Sequence, residues 1–402
     1  MRYSDVEKIH QAGLISDAQR EQIIEHFKLK EEGSRFLGII SIVGTVLVVG
    51  GIALLIAANW QDIPRGVKIG GGLLLMLGAH AGGWYLRAVR GTYRQTGEAL
   101  HLAGSGLFLG NIALLAQVYN LSGRPPNAFL LWWAGIAGLP WLLRSAAHHL
   151  LALLAFGLWF ILEVNQEGSL IYFGGDAYQI LLYALLGLLF LGGGYCLRRT
   201  AFAEFAPPTE KLGLVGLVAF AYPLTWSAFY RHYQPAASVS HWVFPALAVA
   251  ALLAVAAGVA GLTGLNRQWR WTWGLALAGA VALLAGALYL VPQWTSDYAG
   301  SHGHYHWFCA LALFVFALLQ IQAGVQWRSE FMVNLGVAFI GLDILATYIN
   351  LFGSMARTGL VFIIGGLFLL VFGLYLEKKR RALMQQIRTP VKTLAEGETL
   401  ER

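Results

Sequence analysis

Three side chains that can gain and lose protons, His80, Glu98 and His101, fall close together in otherwise apolar stretches of the sequence. Glu98 and His101 are three residues apart and therefore share one face of a helix. An ionisable group inside a membrane span costs roughly 2.5–3.5 kcal/mol on insertion scales, so each one calls for a partner or a function. The three residues form either a proton relay, because histidine titrates near physiological pH, or a structural pair near the membrane interface.

Asp343 is the sharpest single indication of a functional charge, because it lies in the apolar run 340–346. A carboxylate in such surroundings is expected to be neutral or matched with a cation. Arg357, near the start of the next apolar segment, is the nearest candidate cation along the chain. The alternatives are a structural ion pair and a carboxylate that binds a coupling ion or a proton.

Two amides, Asn111 and Gln117, lie further along the segment that carries Glu98, among glycine and alanine residues. Small residues let membrane helices approach each other, and amides form hydrogen bonds across the contact. We expect Asn111 and Gln117 either to join helices or to line part of a central cavity.

The segment 301–306 has the one pattern that suggests metal ligands, with His302, His304 and His306 at alternate positions. In an extended loop, residues two apart project the same way, and imidazole suits zinc or copper. The alternatives are a metal site and an ordinary solvated loop. No other cofactor is expected.

The elements that must position these residues are membrane helices. Of the 402 residues, 57% are hydrophobic and 12% are charged, whereas a soluble globular protein is about 45–50% apolar and 25% charged. The apolar runs are long enough to cross a bilayer as helices and lack the two-residue alternation of a membrane β-barrel. We predict an all-α, polytopic transmembrane bundle of eleven or twelve spans. The twelve candidates are 36–59, 67–86, 97–119, 128–143, 146–164, 178–197, 212–230, 241–262, 271–291, 306–327, 330–350 and 355–376.

The distribution of basic residues predicts the orientation. With twelve spans and an inside N-terminus, 23 of the 28 Lys and Arg fall in inside segments and five fall outside. This bias is typical of short cytoplasmic loops, so both termini are predicted to be cytoplasmic. The net charge of +7 then favours anionic lipid headgroups, and not nucleic acid, as the partner.

The polar ends flank the transmembrane domain, predicted for residues 36–376. Residues 1–35 are expected to form a small helical hairpin in which Ser16 and Gln19 make a capping box. This module is either a cap on the membrane surface or a binding site for a cytosolic protein. Residues 377–402 form a basic tail, in which the cluster 378–381 is suited to anionic headgroups.

Four segments carry a family resemblance: Gly13–Ser16, Ala57–Pro64, Gly97–Leu100 and Asn111–Ser122. Over about the first 125 residues the chain resembles the bacterial predicted membrane proteins known as domain of unknown function 2157. The resemblance implies a multi-pass protein of the bacterial inner membrane. It implies no substrate and brings no catalytic residues.

Three functional classes remain open. A secondary transporter or flippase-like carrier is favoured by the number of spans, the short loops, the buried ionisable groups and the prolines within spans, Pro140, Pro223 and Pro245. A membrane scaffold or sensor would act through residues 1–35. A membrane-embedded enzyme on a lipid-linked substrate would have to use scattered residues, because the sequence has no Walker-type phosphate loop and no His-Glu-x-x-His or Gly-x-Ser-x-Gly motif.

Overall fold

The computed structural model describes most of the chain, and the regular elements in the described residues are all helices. The described residues are 6, 10, 13, 15–26, 60–90, 94–173, 179–227, 229, 242–262, 267–289, 305–352 and 359–388. The chain divides into two units, residues 1–72 and 73–402, and each is described by itself. The predicted first span, 36–59, lies outside the described residues.

In the first unit, helix α1 (Asp17–His26) begins at the capping box that the sequence predicts. The Ser16 backbone N–H donates to Gln19 Oε1 at 2.9 Å, and the Gln19 N–H donates to Ser16 Oγ at 3.3 Å. Before α1 the chain turns at Gly13, whose φ of +70° is easily adopted only by glycine. His10 Nε2 then lies 2.8 Å from Asp17 Oδ1. These contacts fit the predicted hairpin.

The remaining helices follow the predicted spans closely. They are α2 (Arg65–Trp84), α3 (Arg94–Tyr119), α4 (Pro125–Ile136), α5 (Leu139–Leu143), α6 (Ala146–Asn165), α7 (Gln179–Leu197), α8 (Ala206–Ala221), α9 (Val243–Val259), α10 (Arg267–Tyr289), α11 (Tyr305–Gln326), α12 (Glu330–Phe352) and α13 (Gly359–Arg388). Among them α3, α6, α7, α10, α11 and α12 are long and apolar enough to cross a membrane. The all-helical membrane architecture is thus confirmed, while the number of twelve spans and the cytoplasmic termini stay predictions.

The predicted span 128–143 differs from the structure, which divides it into α4 and the single turn α5. The break falls at residues 137–138, just before Pro140, whose ring removes the backbone donor that would bond the Ile136 carbonyl. Arg144 then adopts a left-handed conformation, with φ of 44°. Ser145 caps α6 by accepting the His148 N–H at 3.2 Å. Helices α5 and α6 are therefore joined by a tight turn at residues 144–145.

The predicted interruption of the seventh span is present at Pro223. Helix α8 ends at Ala221, and a 3₁₀ turn follows at Tyr222–Thr225. The Tyr222 hydroxyl donates to the Leu342 carbonyl at 2.9 Å, and Asn350 Nδ2 donates to the Thr225 carbonyl at 2.6 Å. The broken end of α8 is therefore fixed to α12 at two points.

The apolar core is centred on α7, which packs against α8 and α9 through glycine. A Cβ atom on Gly187 would lie 2.4 Å from the Leu217 backbone nitrogen, and one on Gly192 would lie 2.6 Å from the Val255 nitrogen. Contacts this short require glycine, since any side chain would force the backbones apart. Helix α7 is consequently buried along most of its length.

The C-terminal helix α13 continues past the apolar part of the sequence into the basic cluster. Arg380 and Arg381 both donate hydrogen bonds to the Glu377 carboxylate, at 2.6–2.8 Å. These bonds lower the pKa of Glu377 to about 2. Arg380 also donates to Asn334 Oδ1 of α12 at 2.8 Å, which ties the two helices together.

Candidate functional site

Helices α2 and α3 approach each other closely at three glycines. A Cβ atom on Gly104 would lie 2.7 Å from the His80 ring, and one on Gly83 would lie 2.8 Å from the His101 ring. A Cβ atom on Gly97 would lie 2.7 Å from the Gly83 carbonyl oxygen. Because these positions have no side chain, the two imidazoles can meet between the helices.

His80 and His101, called here the histidine pair, have their Nδ1 atoms 3.1 Å apart. One ring must donate and the other accept, because a neutral imidazole has one N–H and one lone pair. His101 is only 5% exposed. Its Nε2 atom is buried and has no hydrogen-bond partner among the described residues. The pair is thus an internally bonded unit with an unsatisfied nitrogen.

Glu98 and His148 are joined through Ser145 beside this pair. The Ser145 hydroxyl donates to Glu98 Oε1, and His148 Nδ1 lies 3.1 Å from Ser145 Oγ. The His148 ring stands edge-on to His101, with ring centroids 6.3 Å apart. The sequence placed Glu98 on the same face as His101, and the structure gives it a serine from α6 as its hydrogen-bond partner.

Arg87 lies in a five-residue π-helical turn, Tyr85–Val89, that continues α2. Single π turns inside helices often occur at functional sites. Arg87 Nη2 donates to the Leu143 carbonyl at the end of α5. Its Nη1 atom is buried and has no hydrogen-bond partner among the described residues. A buried guanidinium N–H without an acceptor is costly, so this group is suited to receive an anion.

The histidine pair and Arg87 line a groove of about 1050 Å³, called here the groove, between α2, α3, α4 and α5. Its charged end has three arginines, Arg87, Arg94 and Arg144, called here the arginine rim. The apolar side chains are Met76, Trp84, Phe108, Ile136, Leu139, Leu142 and Leu143. Arg94 and Phe108 are fourteen residues apart on α3, which corresponds to about 21 Å along the helix. The groove therefore changes from cationic to apolar along its length.

Such a gradient suits an amphiphile with an anionic headgroup. Guanidinium groups bind phosphate through paired, charge-assisted hydrogen bonds, and an acyl chain can replace lipid contacts at the apolar end. A resident metal is a different matter. In the part of the chain that the structure describes, no cluster of three or more His, Cys, Asp or Glu residues has the arrangement of a metal site.

The two amides singled out from the sequence do not share a surface. Asn111 is buried and donates from Nδ2 to the Leu107 carbonyl of its own helix at 2.8 Å. Gln117 is exposed. Six residues correspond to about 600° of rotation at 3.6 residues per turn, so the two side chains point some 120° apart. Neither residue lines the groove.

Asp343 is buried in the middle of α12, with 3% exposure. Its Oδ1 atom has no hydrogen-bond partner among the described residues, and the described group that it faces electrostatically is Tyr222. Arg357, the predicted cation partner, lies outside the described residues. The ion pair therefore stays a prediction.

The histidine loop is described only at its end. His302 and His304 lie outside the described residues, and His306 is a buried residue in the first turn of α11. The zinc or copper site thus stays a prediction.

The groove itself was not apparent from the sequence. In the sequence the three rim arginines indicate only membrane orientation, and no pattern singles out His148. A serine directly before an apolar run, as at Ser145, is typical of a helix N-cap, and this signal was usable. What brings α6 next to α3 is tertiary packing, which no periodicity encodes.

Comparison with known proteins gives one match. Residues 7–149 match the model of a family described as "Predicted membrane protein (DUF2157)". This confirms the resemblance seen in the N-terminal sequence. No curated protein and no solved structure matches the chain. All residues that line the groove, from Met76 to Arg144, fall inside the matched part.

Proposed function

We propose that this membrane protein is a flippase-like carrier for an anionic phospholipid, which it takes up by the headgroup from the inner leaflet of a bacterial inner membrane. The observation that carries the proposal is the groove, which has three arginines at one end and an apolar wall at the other. The predicted orientation places the arginine rim on the cytoplasmic side, where anionic lipids attract basic residues.

The charged end supports binding of a phosphate group. Arg94 and Arg144 are exposed at the opening, whereas Arg87 is half-buried and has an unsatisfied Nη1. A buried N–H without an acceptor costs about 1–3 kcal/mol, and more for a charged group. A phosphate oxygen would remove that cost. The Glu98 carboxylate does not compete for Arg87, since it is bonded to the Ser145 hydroxyl.

Apolar side chains beside the arginine rim support a lipid and not a soluble anion. Leu142 is 79% exposed and Trp84 is 60% exposed at the edge of the groove. Tryptophan is typical of the membrane–water interface. Exposed apolar side chains beside a cationic opening give an acyl chain a continuous path from the bilayer, whereas inorganic phosphate would gain nothing from them.

Movement of the headgroup requires polar positions deeper in the bundle. We assign these positions to the interruption of α8 at Pro223 and to the buried side chain of Asp343, whose carboxyl would have to be protonated to donate to an anionic headgroup. Interrupted helices near the bilayer midplane are typical of transporter binding sites. Among the described residues, the lining of the groove offers imidazole and guanidinium groups but no hydroxyl or carboxylate nucleophile, which favours a carrier over an enzyme.

The test uses the full chain reconstituted in liposomes that contain a trace of fluorescent phosphatidylglycerol. Transfer between leaflets is followed by quenching of the outer label with a membrane-impermeant reductant. We expect faster transfer than in protein-free vesicles, and a loss of about tenfold or more in Arg87→Gln, because one buried charge-assisted contact contributes about 1.5–3 kcal/mol.

Arg328→Gln is the matched control, because Arg328 lies in the turn after α11 and does not line the groove. Fluorescent phosphatidylcholine and competition by inorganic phosphate separate headgroup charge from lipid character. Equal transfer rates with and without protein would overturn the proposal. Binding of phosphatidylglycerol without transfer would also overturn it, in favour of a lipid-anchored scaffold.

A further inference from the structure

We infer that the histidine pair binds one proton together with the anionic headgroup, so that the groove loads an anion and a proton as a single coupled event. The inference rests on the proposed function in one respect only, that an anionic headgroup enters the groove. It assigns a coupling ion and the residues that hold it.

The pair is built to share an added proton. When neutral, its two rings share one N–H across the 3.1 Å contact between His80 Nδ1 and His101 Nδ1. The ring that donates has a lone pair at Nε2, and an added proton goes there and converts that ring to an imidazolium. The charged ring then donates a stronger hydrogen bond to its neutral partner. No other group has to lose its proton.

The groups that face the pair decide when it is charged. From α2 and its π turn comes Arg87, from α3 come Arg94 and Glu98, from the end of α5 comes Arg144, and from α6 comes His148. At His101 the unfavourable effect of Arg87 on a positive charge exceeds the favourable effect of Glu98, and Arg94 and Arg144 add positive charge to the same groove. An empty groove therefore disfavours a further positive charge on the histidine pair.

An anionic headgroup reverses this balance. It neutralises part of the arginine rim and adds a negative charge beside the two imidazoles, both of which line the groove. Protonation of the pair then becomes favourable. Because coupling between two ligands is reciprocal, protons must increase the affinity for the headgroup by the same factor. The affinity can change by at most about tenfold per pH unit for one coupled proton.

His148 and Glu98 are positioned as fixed neighbours of the pair. Ser145 holds both of them, through its hydroxyl proton on Glu98 and its lone pairs toward the His148 backbone N–H and ring. Because both side chains are bonded to Ser145, the N-cap residue of α6, they stay in place when a ligand binds. The two rings of the histidine pair are bonded mainly to each other, so their protonation can change when a ligand binds.

The experiment measures proton uptake during lipid binding by the purified full chain. Phosphatidylglycerol in nanodisc or micelle form is titrated calorimetrically at pH 7 in two buffers that differ in ionisation enthalpy. This lipid suits the purpose because its phosphodiester does not titrate near neutral pH. We expect uptake of between about half a proton and one proton per lipid bound, and affinity that rises about threefold to tenfold from pH 8 to pH 7.

In His80→Gln and His101→Gln the affinity for the lipid should no longer rise as the pH falls from 8 to 7, and proton uptake should be almost lost. His149→Gln is the matched control. This α6 histidine is bonded to Thr209 Oγ1 at 2.8 Å and stacked on Phe205, and it does not line the groove. It should keep both affinity and uptake at wild-type values.

The outcomes separate the inference from the proposed function. Wild-type protein that binds phosphatidylglycerol without proton uptake between pH 6 and 8 would overturn the inference alone. Undiminished uptake in the His80→Gln/His101→Gln double variant would do the same. Absence of binding by wild-type protein would overturn both proposals, and this measurement does not depend on the folding of any variant.

Discussion

Helices α3 and α7 are both long apolar segments, yet they have different surroundings. In the most apolar stretch of α7, 67% of the residues are buried, against 22% in α3. Both helices use glycine to approach a neighbour. In α7 the glycines bring backbone against backbone, as at Gly187 and Leu217, whereas in α3 Gly104 makes room for the His80 ring.

The difference separates a supporting region from the proposed binding region. Around α7 the close backbone contacts leave space only for apolar side chains, and the region is a filled core. Around α3 the glycines hold polar rings beside an open groove. Packing in the second region is incomplete, and a ligand can add the missing contacts. We expect substitutions in the core to affect stability and those around the groove to affect binding.

The largest effect on stability is expected for Gly187→Ala. Its Cβ atom would lie 2.4 Å from the Leu217 nitrogen, and neither backbone can move without disturbing the core. We expect a loss of about 2–3 kcal/mol, at the upper end for overpacking. The midpoint of heat-induced aggregation in detergent measures it. Gly193→Ala on the same helix, where a Cβ meets nothing within 4 Å, should keep the wild-type midpoint. Equal midpoints for Gly187→Ala and Gly193→Ala would contradict the assignment of α7 to a tightly packed core.

Gly104→Ala should show the opposite behaviour. Its Cβ atom would displace the His80 ring, 2.7 Å away, and a ring can move where a backbone cannot. We expect phosphatidylglycerol affinity to fall about tenfold, or 1.4 kcal/mol, with a nearly wild-type thermal midpoint. Gly110→Ala, with open space around its Cβ, is the control. A large loss of stability with intact lipid binding would show that Gly104 supports the packing of the fold and not the groove.

Ser145→Ala tests the corner between the two regions. The substitution removes the cap of α6, and loss of such a cap costs about 1 kcal/mol. It also frees the Glu98 carboxylate from its hydrogen bond. We expect a small drop in the thermal midpoint, and a weaker affinity for anionic lipid because the freed carboxylate can neutralise a rim arginine. Ser145→Thr, which keeps the hydroxyl, should restore both. Failure of threonine to restore lipid affinity would argue against the hydrogen bond to Glu98.

The smallest effect is expected at Glu377, outside both regions. Its pKa is lowered from 4.5 to about 2 by Arg380 and Arg381, so its contribution to stability is complete above about pH 4.5 and is lost as the pH falls toward 2. The difference in thermal midpoint between wild type and Glu377→Gln should be small, because the site is exposed to solvent. It should stay constant from pH 7 to 5 and shrink below pH 4.5. A difference that grows in acid would contradict this sign, and Glu204→Gln, at another exposed glutamate, serves as the control.

Most helix boundaries could be predicted from the sequence because length and polarity determine them. Helix α12 begins at the predicted Glu330 and ends two residues beyond the predicted Asn350. Pro140 predicted a kink or break within the fourth span, but the division into α4 and α5 at residues 137–138 did not follow from the sequence. There the segment is apolar throughout, and apolarity alone does not distinguish one helix from two short ones.

The groove could be predicted only in part. Proximity of His80 to Glu98 and His101 followed from placing all three at similar depth in neighbouring helices. The contribution of α5 and α6, through Arg144, Ser145 and His148, depends on how the corner at residues 144–145 folds back. That contact arises from a left-handed residue and a cap, which sequence periodicity does not reveal.

One feature of the groove bears on the biosynthesis of the protein. All of its lining residues fall between Met76 and Arg144, whereas the core cluster extends from Phe160 to Ile340. Translation at about 5–20 residues per second would add the next roughly 190 residues in some 10–40 s. The nascent chain therefore carries the described lining of the proposed lipid-binding groove long before its supporting core exists, and lipid bound during insertion would act as a template for the arrangement of α2 to α5.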